Sequence, residues 1–248
     1  MAEVIGLIPA AGQGVRLGLP YPKELYPVIR NNRYKPVSNF VVDNILTADV
    51  KHVVFVINET KHQLLGYFGS GKRFGCDISY VVQEQSSRDG KSTSPGLAMA
   101  LDSAYHLTKG KEVYFGMADT IMQPQDVFQR ARTVTSPNAD ITLILFATNR
   151  PQKFGMVRFD GEDRVLEIVD KPIKTDLTEM WGAIIWGPAF TDFLHECVTR
   201  GQSDFAEILN GAIASGLYAH TVHNPDGSYH DLGTYEEIAE LDRHFRER

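Results

Sequence analysis

Short apolar runs alternate with helix-spaced patterns along the first half of the chain, and this alternation leaves few folds open. Val4–Pro9 reads as a strand running into a glycine-rich turn. Val37, Phe40, Val41, Asn44, Ile45 and Ala48 recur at helical spacing, so Val37–Ala48 is expected to be an amphipathic helix. Val53–Ile57 is an unbroken β-branched and aromatic run, the pattern of a strand covered on both faces. Thr60–Tyr67 then reads as helix, Ile78–Val82 as strand, Gly96–Leu107 as helix and Val113–Met117 as strand. Repeated β and α units of this length predict a doubly wound, Rossmann-like α/β sheet, largely parallel in this half.

The pattern changes after a helix at Pro124–Thr133 and a strand at Ile141–Phe146. Met156–Phe159 and Val165–Val169, around Asp160-Gly161, predict a β-hairpin. A strand at Trp181–Trp186, helices at Ala189–Thr199 and Phe205–Ser215, a strand at Tyr218–Val222 and a helix from Tyr235 complete the reading. With no interdomain linker in view, the 248 residues are expected to form a single domain with a mixed sheet. The halves, about 1–135 and about 136–248, would form the two sides of a cleft.

A formal net charge of −6 argues against broad nucleic-acid binding, and no apolar stretch reaches membrane-spanning length. The start of the chain shows no basic, apolar leader, and Cys76 and Cys197 lack metal-ligand spacing, so a reducing cytoplasm is the expected location. The eight histidines, His220, His223 and His230 among them, show no zinc-site spacing and are read as surface or packing residues. Positive charge is nevertheless concentrated where phosphate would need it: Arg16, Lys23, Arg30, Arg33 and Lys35 crowd one stretch.

The segment Ala10-Ala11-Gly12-Gln13-Gly14 directly follows the first strand. Glycines there let backbone N–H groups approach phosphate oxygens, although many α/β proteins place small residues at this point merely to turn tightly. Two other phosphate motifs fail on spacing. A dinucleotide fingerprint needs glycine where Leu17 stands. P-loop matches at Gly66–Arg73 and at Gly90-Lys91-Ser92 lack, respectively, the final Ser or Thr and the first glycine. Arg16 and Lys23 sharpen the first turn, because an Arg fork and a Lys point charge suit phosphate and would stand in the crevice beyond the strand's carboxyl end.

Asp119 follows the strand Val113–Met117, with Gly116 expected to let the backbone approach closely, and Asp231 precedes the last helix. Carboxylates so placed can hold Mg²⁺ together with substrate phosphates, or can serve as turn and capping residues.

Ala11-Gly12-Gln13-Gly14-Val15-Arg16-Leu17 with Pro22-Lys23 resembles the signature of the sugar-phosphate nucleotidyltransferases, the glucose-1-phosphate thymidylyltransferase and uridylyltransferase group. Val15 stands where that family usually has threonine, and the shorter gap between Arg16 and Lys23 is similar to that of the isoprenoid cytidylyltransferases. Further motifs match in order. The resemblance makes Asp119 and Asp231 (in Asp231-Leu232-Gly233-Thr234) the shared metal ligands, with Thr120 replacing the usual asparagine. It makes Asp170-Lys171-Pro172 the acceptor segment, in which Asp170 meets sugar hydroxyls and Lys171 the sugar phosphate. Gly155, in Phe154-Gly155-Met156-Val157, and Gly182, in Trp181-Gly182-Ala183, would lie against the sugar.

The implied activity is transfer of a nucleotidyl group from a nucleoside triphosphate to a sugar 1-phosphate, with Mg²⁺ as cofactor and pyrophosphate as co-product. The same resemblance gives a homo-oligomer as an expectation. Ala11, Gly12 and Gly14 would contact the triphosphate, and Arg16, Lys23 and Lys171 would carry the charge work. Gln83, whose amide both donates and accepts, and Gly96 at a helix start would read the base, favouring UTP or dTTP. The polar stretch Ser86–Pro95 reads as a lid or as a bare connector. Two other readings stay open: a CTP-using cytidylyltransferase of the isoprenoid type, and a non-catalytic nucleotide-sugar-binding protein on the same scaffold.

Overall fold

The computed structural model describes residues 3–14, 17–30, 33–84, 86–88, 91–93 and 95–246. Strand β1 (Val4–Pro9) is followed by a hairpin of β2 (Pro27–Arg30) and β3 (Arg33–Pro36), then α1 (Val37–Thr47) and β4 (His52–Ile57). Next come α2 (His62–Phe68), β5 (Asp77–Val82), a small hairpin of β6 (Ser86–Arg88) and β7 (Lys91–Thr93), and helices α3 (Leu97–Ser103) and α4 (Tyr105–Thr108). Strands β8 (Glu112–Gly116) and β9 (Thr120–Gln123) lead into α5 (Val127–Val134) and β10 (Ile141–Ala147). The second half adds β11 (Gly155–Phe159), β12 (Val165–Asp170), β13 (Glu179–Trp186), α6 (Pro188–Thr199), α7 (Phe205–Ala214), β14 (Ala219–His223), β15 (Ser228–Asp231) and α8 (Tyr235–Arg246).

Among the described residues, nine strands form one sheet in the order β12-β11-β13-β8-β1-β4-β5, with β10 and β14 branching from β13. β1 pairs in parallel with both β4 and β8, and β4 in parallel with β5, so the first half is the doubly wound unit the alternation predicts. β13 joins it antiparallel, placing Ala183 opposite Gly116 and Ile184 opposite Phe115. The sheet is therefore mixed. Ile5, Leu7, Phe115 and Ile184 face one apolar layer, while Ile8, Phe55, Tyr114 and Ile185 face the other, as strand alternation requires.

Several boundaries differ from the sequence expectation for local reasons. The segment Glu59–Lys61 is a 3₁₀ turn because the Asn58 side chain accepts from the Thr60 N–H at 2.9 Å, so α2 starts only at His62. The helix expected over Gly96–Leu107 breaks at Ala104. The helix expected from Pro124 begins at Val127. The β2–β3 hairpin was not foreseen, since Arg30, Arg33 and Lys35 mask its alternation. Gly116 does not open a path for a ligand: a Cβ there would meet Val41 Cγ2 of α1 at 2.5 Å, so its role is close helix–sheet packing. Among the described residues, no helix is long and apolar enough to cross a membrane.

Candidate active site

The carboxyl end of β1 delivers Ala10 to Gly14 to the crevice, and β4 fixes them there. Ala10 donates its N–H to Val56 O at 2.7 Å, and the buried Asn58 amide donates to Ala11 O at 2.6 Å. Gly14 has φ +65°, a conformation in which a side chain would be strained, and a Cβ on it would stand 3.7 Å from Lys23 Cγ. Among the described residues nothing lies within 4 Å of the Cβ position of Gly12, so that face of the turn is open.

Beneath the turn the Lys61 ammonium donates to both Glu24 oxygens at 2.8 and 2.7 Å, with both side chains 3% exposed. Burial pushes the Glu24 carboxyl up, against the pull of Lys61. Removing either partner would strand a buried charge at a cost of about 3–5 kcal/mol. The pair therefore props the 3₁₀ turn Lys23–Leu25 against the segment after β4. Arg16, the other expected phosphate ligand, lies outside the described residues.

Lys23 lines two hollows. One, of about 260 Å³, runs along Gln13, Gly14, Pro22, Thr60 and Lys61. The other, of about 380 Å³, holds Asp119, Asp231, Lys153, Asp170, Lys171 and Trp181. Lys23 thus bridges the glycine turn and the carboxylates. Its ammonium donates to Asp119 Oδ2. Burial lowers its pKa, but Asp119, Glu24 and Asp231 together outweigh this and hold the ammonium above its ordinary value.

Asp119 and Asp231 sit on one ribbon. β9 and β15 pair antiparallel with Thr120 opposite Asp231, and the Leu232 N–H donates to Asp119 O at 3.0 Å. Burial, then the nearby Asp119 and Glu237 charges, push the Asp231 carboxyl up to about 7 despite Lys23 and Lys153. Glu237 braces the same loop by accepting the Gly233 N–H at 2.8 Å and an ion pair from Lys153. Burial would raise Glu237, but Lys153 and the Gly233 N–H hold it below the usual carboxylate range.

On the opposite wall, the end of β12 carries Asp170 and Lys171, which pair at 2.7 Å and remain partly exposed. Lys171 has φ +45°, and its N–H donates to Phe154 O at 3.0 Å, which turns the chain out of the hairpin at the cleft. The two glycines expected against a sugar are both occupied on their side-chain faces. A Cβ on Gly155 would meet Trp181 Nε1 at 2.3 Å, and one on Gly182 would meet the Phe146 and Tyr229 rings at 2.7 and 2.8 Å. Gly182 does not line the cleft, whereas Gly155 does.

Gln83 is buried directly after β5, with its N–H on Ile57 O at 2.8 Å, and Gly96 (φ +99°) precedes α3. Neither lines the acidic cleft, and Leu97, next to Gly96, does. The segment Ser86–Pro95 forms a two-stranded ladder with Ser86 opposite Thr93, while 89, 90 and 94 lie outside the described residues. Lys153, Glu237, Trp181 and the Glu24–Lys61 pair were missed by sequence reasoning. Only Glu237 had a readable signal, since Thr234-Tyr235-Glu236-Glu237 is a capping-box pattern. Its carboxylate takes the Gly233 N–H instead of that of Thr234. A larger hollow of about 1230 Å³ near Asn44, Gln123 and Asn224 contains neither Asp119 nor Asp231.

Comparison with known proteins gives a consistent picture. A family model described as nucleotidyl transferase matches residues 5–248. The low-salt glycan biosynthesis nucleotidyltransferase Agl11 of Haloferax volcanii is 24% identical over 96% of this chain, which spans 65% of that protein's length. A glucose-1-phosphate thymidylyltransferase of Streptomyces griseus is 26% identical over 96% of this chain and is spanned for 64% of its length. One of Neisseria meningitidis is 24% identical, with 95% of this chain and 80% of the relative aligned. Among solved structures, an apo UDP-glucose pyrophosphorylase superposes with a TM-score of 0.81 at 20% identity, covering 100% of this chain and 99% of the other, which shows a shared fold.

Proposed function

The chain belongs to the nucleotidyl transferase family, and on that premise we propose that it transfers a nucleotidyl group from UTP or dTTP to a sugar 1-phosphate, releasing pyrophosphate. The observation that carries this reading is the cleft itself. Lys23 links the glycine turn to Asp119 and Asp231, and Lys171 stands on the facing wall beside Asp170. A phosphate monoester with a second pKa near ~6 is already an anionic nucleophile at neutral pH, so the reaction needs alignment and charge compensation more than a general base.

The donor set fits Mg²⁺. Asp119 and Asp231 offer hard oxygen ligands, and burial followed by the Asp119 charge raises Asp231, so the site favours added positive charge. Among the described residues no group of three or more His, Cys, Asp or Glu gathers as a metal cage. Mg²⁺ is commonly held by one or two carboxylates plus substrate phosphates. Bound there, Mg²⁺ would supply Lewis-acid polarisation of phosphate oxygens.

The chain's own groups do the rest. The amides at Gly12 and Gly14 receive the triphosphate on the open face of the turn. Lys23 exchanges Asp119 for the departing pyrophosphate, and Arg16 supports it. Lys171 leaves Asp170 to hold the acceptor phosphate, and Asp170 turns to sugar hydroxyls. Gln83 and Gly96 receive the base.

The decisive experiment is a matrix of pyrophosphate release over five triphosphates and a set of sugar 1-phosphates, with and without Mg²⁺. Release with UTP or dTTP and a sugar 1-phosphate is the expected result. Turnover confined to CTP with a methylerythritol phosphate acceptor would transfer the chain to the isoprenoid reading, and no release with any pair would leave a binding protein.

A further inference from the structure

Trp181 is the unusual element of the acceptor wall. It stands on β13 with its ring wedged between Phe115 and Phe205, at centroid distances of 6.1 and 5.9 Å, and it lines the cleft beside Gly155. A Cβ on Gly155 would lie 2.3 Å from Nε1 but 3.1 and 3.2 Å from Cδ1 and Cε2. It would therefore stand off the N–H edge of the indole and not over its face. The N–H aims into the volume that only glycine leaves free. Nε1 is buried and has no acceptor among the described residues. The chain's other tryptophan, Trp186, gives its N–H to Thr191 Oγ1 at 2.9 Å. A buried donor left unpaired destabilises the resting state, and that cost is recovered if a ligand supplies the acceptor.

We propose that Trp181 reads the acceptor: as the sugar ring enters over Gly155, the indole tilts off the glycine and its N–H donates to a sugar oxygen. This inference rests on the transfer to a sugar 1-phosphate proposed above. It gives Gly155 a part besides sugar contact, that of the hollow in which the indole rests. It also makes the hydroxyl-bearing ring, and not the phosphate, the group that Trp181 selects. Lys171 is assigned to the acceptor phosphate, and Lys153 is the charge partner of Glu237.

The test is calorimetric titration of glucose, galactose, mannose and N-acetylglucosamine 1-phosphates into wild type and Trp181→Phe, with the preferred triphosphate as control. Phe keeps a ring and removes the donor. For the sugar phosphate that wild type binds best, affinity should fall roughly 3- to 10-fold, the value of one neutral hydrogen bond, with triphosphate affinity unchanged. Equal sugar-phosphate affinity in the two proteins overturns the role of Trp181 and leaves the transferase reading intact. Binding of none of the four to wild type overturns both. Should Trp181→Phe fail to fold, Trp186→Phe leaves Trp181 as the sole indole. Its fluorescence should then shift saturably on titration with the same sugar phosphate, and a constant spectrum overturns the proposal.

Discussion

Lys23 and Asp119, 96 positions apart in the chain, meet as an ion pair, and Lys23 lines both the glycine-turn hollow and the acidic cleft. The pair gives each of these part-buried charges a partner of opposite sign. Lys23→Met should lower pyrophosphate release by about 10²–10³-fold, the usual effect of deleting one electrostatic contact to a reacting phosphate. Wild-type turnover in that variant would remove Lys23 from the reaction.

Asp119→Asn and Asp231→Asn should each abolish most turnover and leave the fold intact. The metal-free Asp231→Asn protein should also melt higher than wild type at neutral pH, because the substitution relieves burial of a charge crowded by Asp119 and Glu237. Thermal melts in chelator, set beside the activity assay, check both halves. A lower melting point would place the strain elsewhere.

Lys171→Ala should raise KM for the sugar phosphate about 10-fold and leave the triphosphate KM unchanged, since Lys171 stands on the β12 wall with Asp170. Titrating each substrate at saturation of the other separates the effects. An equal loss for the triphosphate would put this lysine on the donor side.

His223 contributes to the pH dependence of stability. Its Nδ1 lies 3.0 Å from Glu179 Oε1 and its Nε2 3.1 Å from Asp163 Oδ1. Burial lowers its pKa, but the hydrogen bonds and charges of Glu179 and Asp163 outweigh that and raise it above the ordinary histidine value. The folded state therefore holds the proton more tightly than the unfolded chain. The contribution is complete below the unfolded value near ~6.5 and disappears as pH rises through the raised folded value. Denaturant melts across this range should show the loss in wild type and a flatter profile in His223→Gln. Identical profiles would rule the histidine out.

Gln83→Ala should reduce kcat/KM for UTP or dTTP roughly 10-fold and narrow the preference over the other triphosphates, because an unmatched base edge leaves buried polar groups unpaired. A wild-type preference for CTP or a purine triphosphate would sink the base assignment even with the transfer reaction intact.

The fold was legible where burial dictates periodicity. Val53–Ile57 and Ile141–Phe146 are strands because both their faces are covered, and the Asp204 side chain caps α7 by accepting the Ala206 and Glu207 N–H groups at 2.9 and 3.0 Å. The meeting of Asp119 with Lys23 and Asp231 could be anticipated only through motif order. The β9–β15 ribbon that joins two of them is a long-range pairing of short segments with little alternation of their own. Trp181 and Lys153 were illegible for a different reason. A tryptophan before a strand glycine reads as core, and a lone lysine as surface, until the chain places Gly155 under one and Glu237 against the other.

The β9–β15 ribbon also bears on how such a protein can change over generations. Because Thr120 pairs with Asp231 and Leu232 hangs from the Asp119 carbonyl, the spacing of the two acids is set by a few backbone bonds between immediate neighbours. Asp170 and Trp181 lie on β12 and β13 instead, and Lys171 directly follows β12. On the proposed transfer reading, substitutions at Trp181 or Asp170 would retune which acceptor is admitted and leave the spacing of the two acids as it is, so acceptor preference could drift by single steps that spare the carboxylate pair.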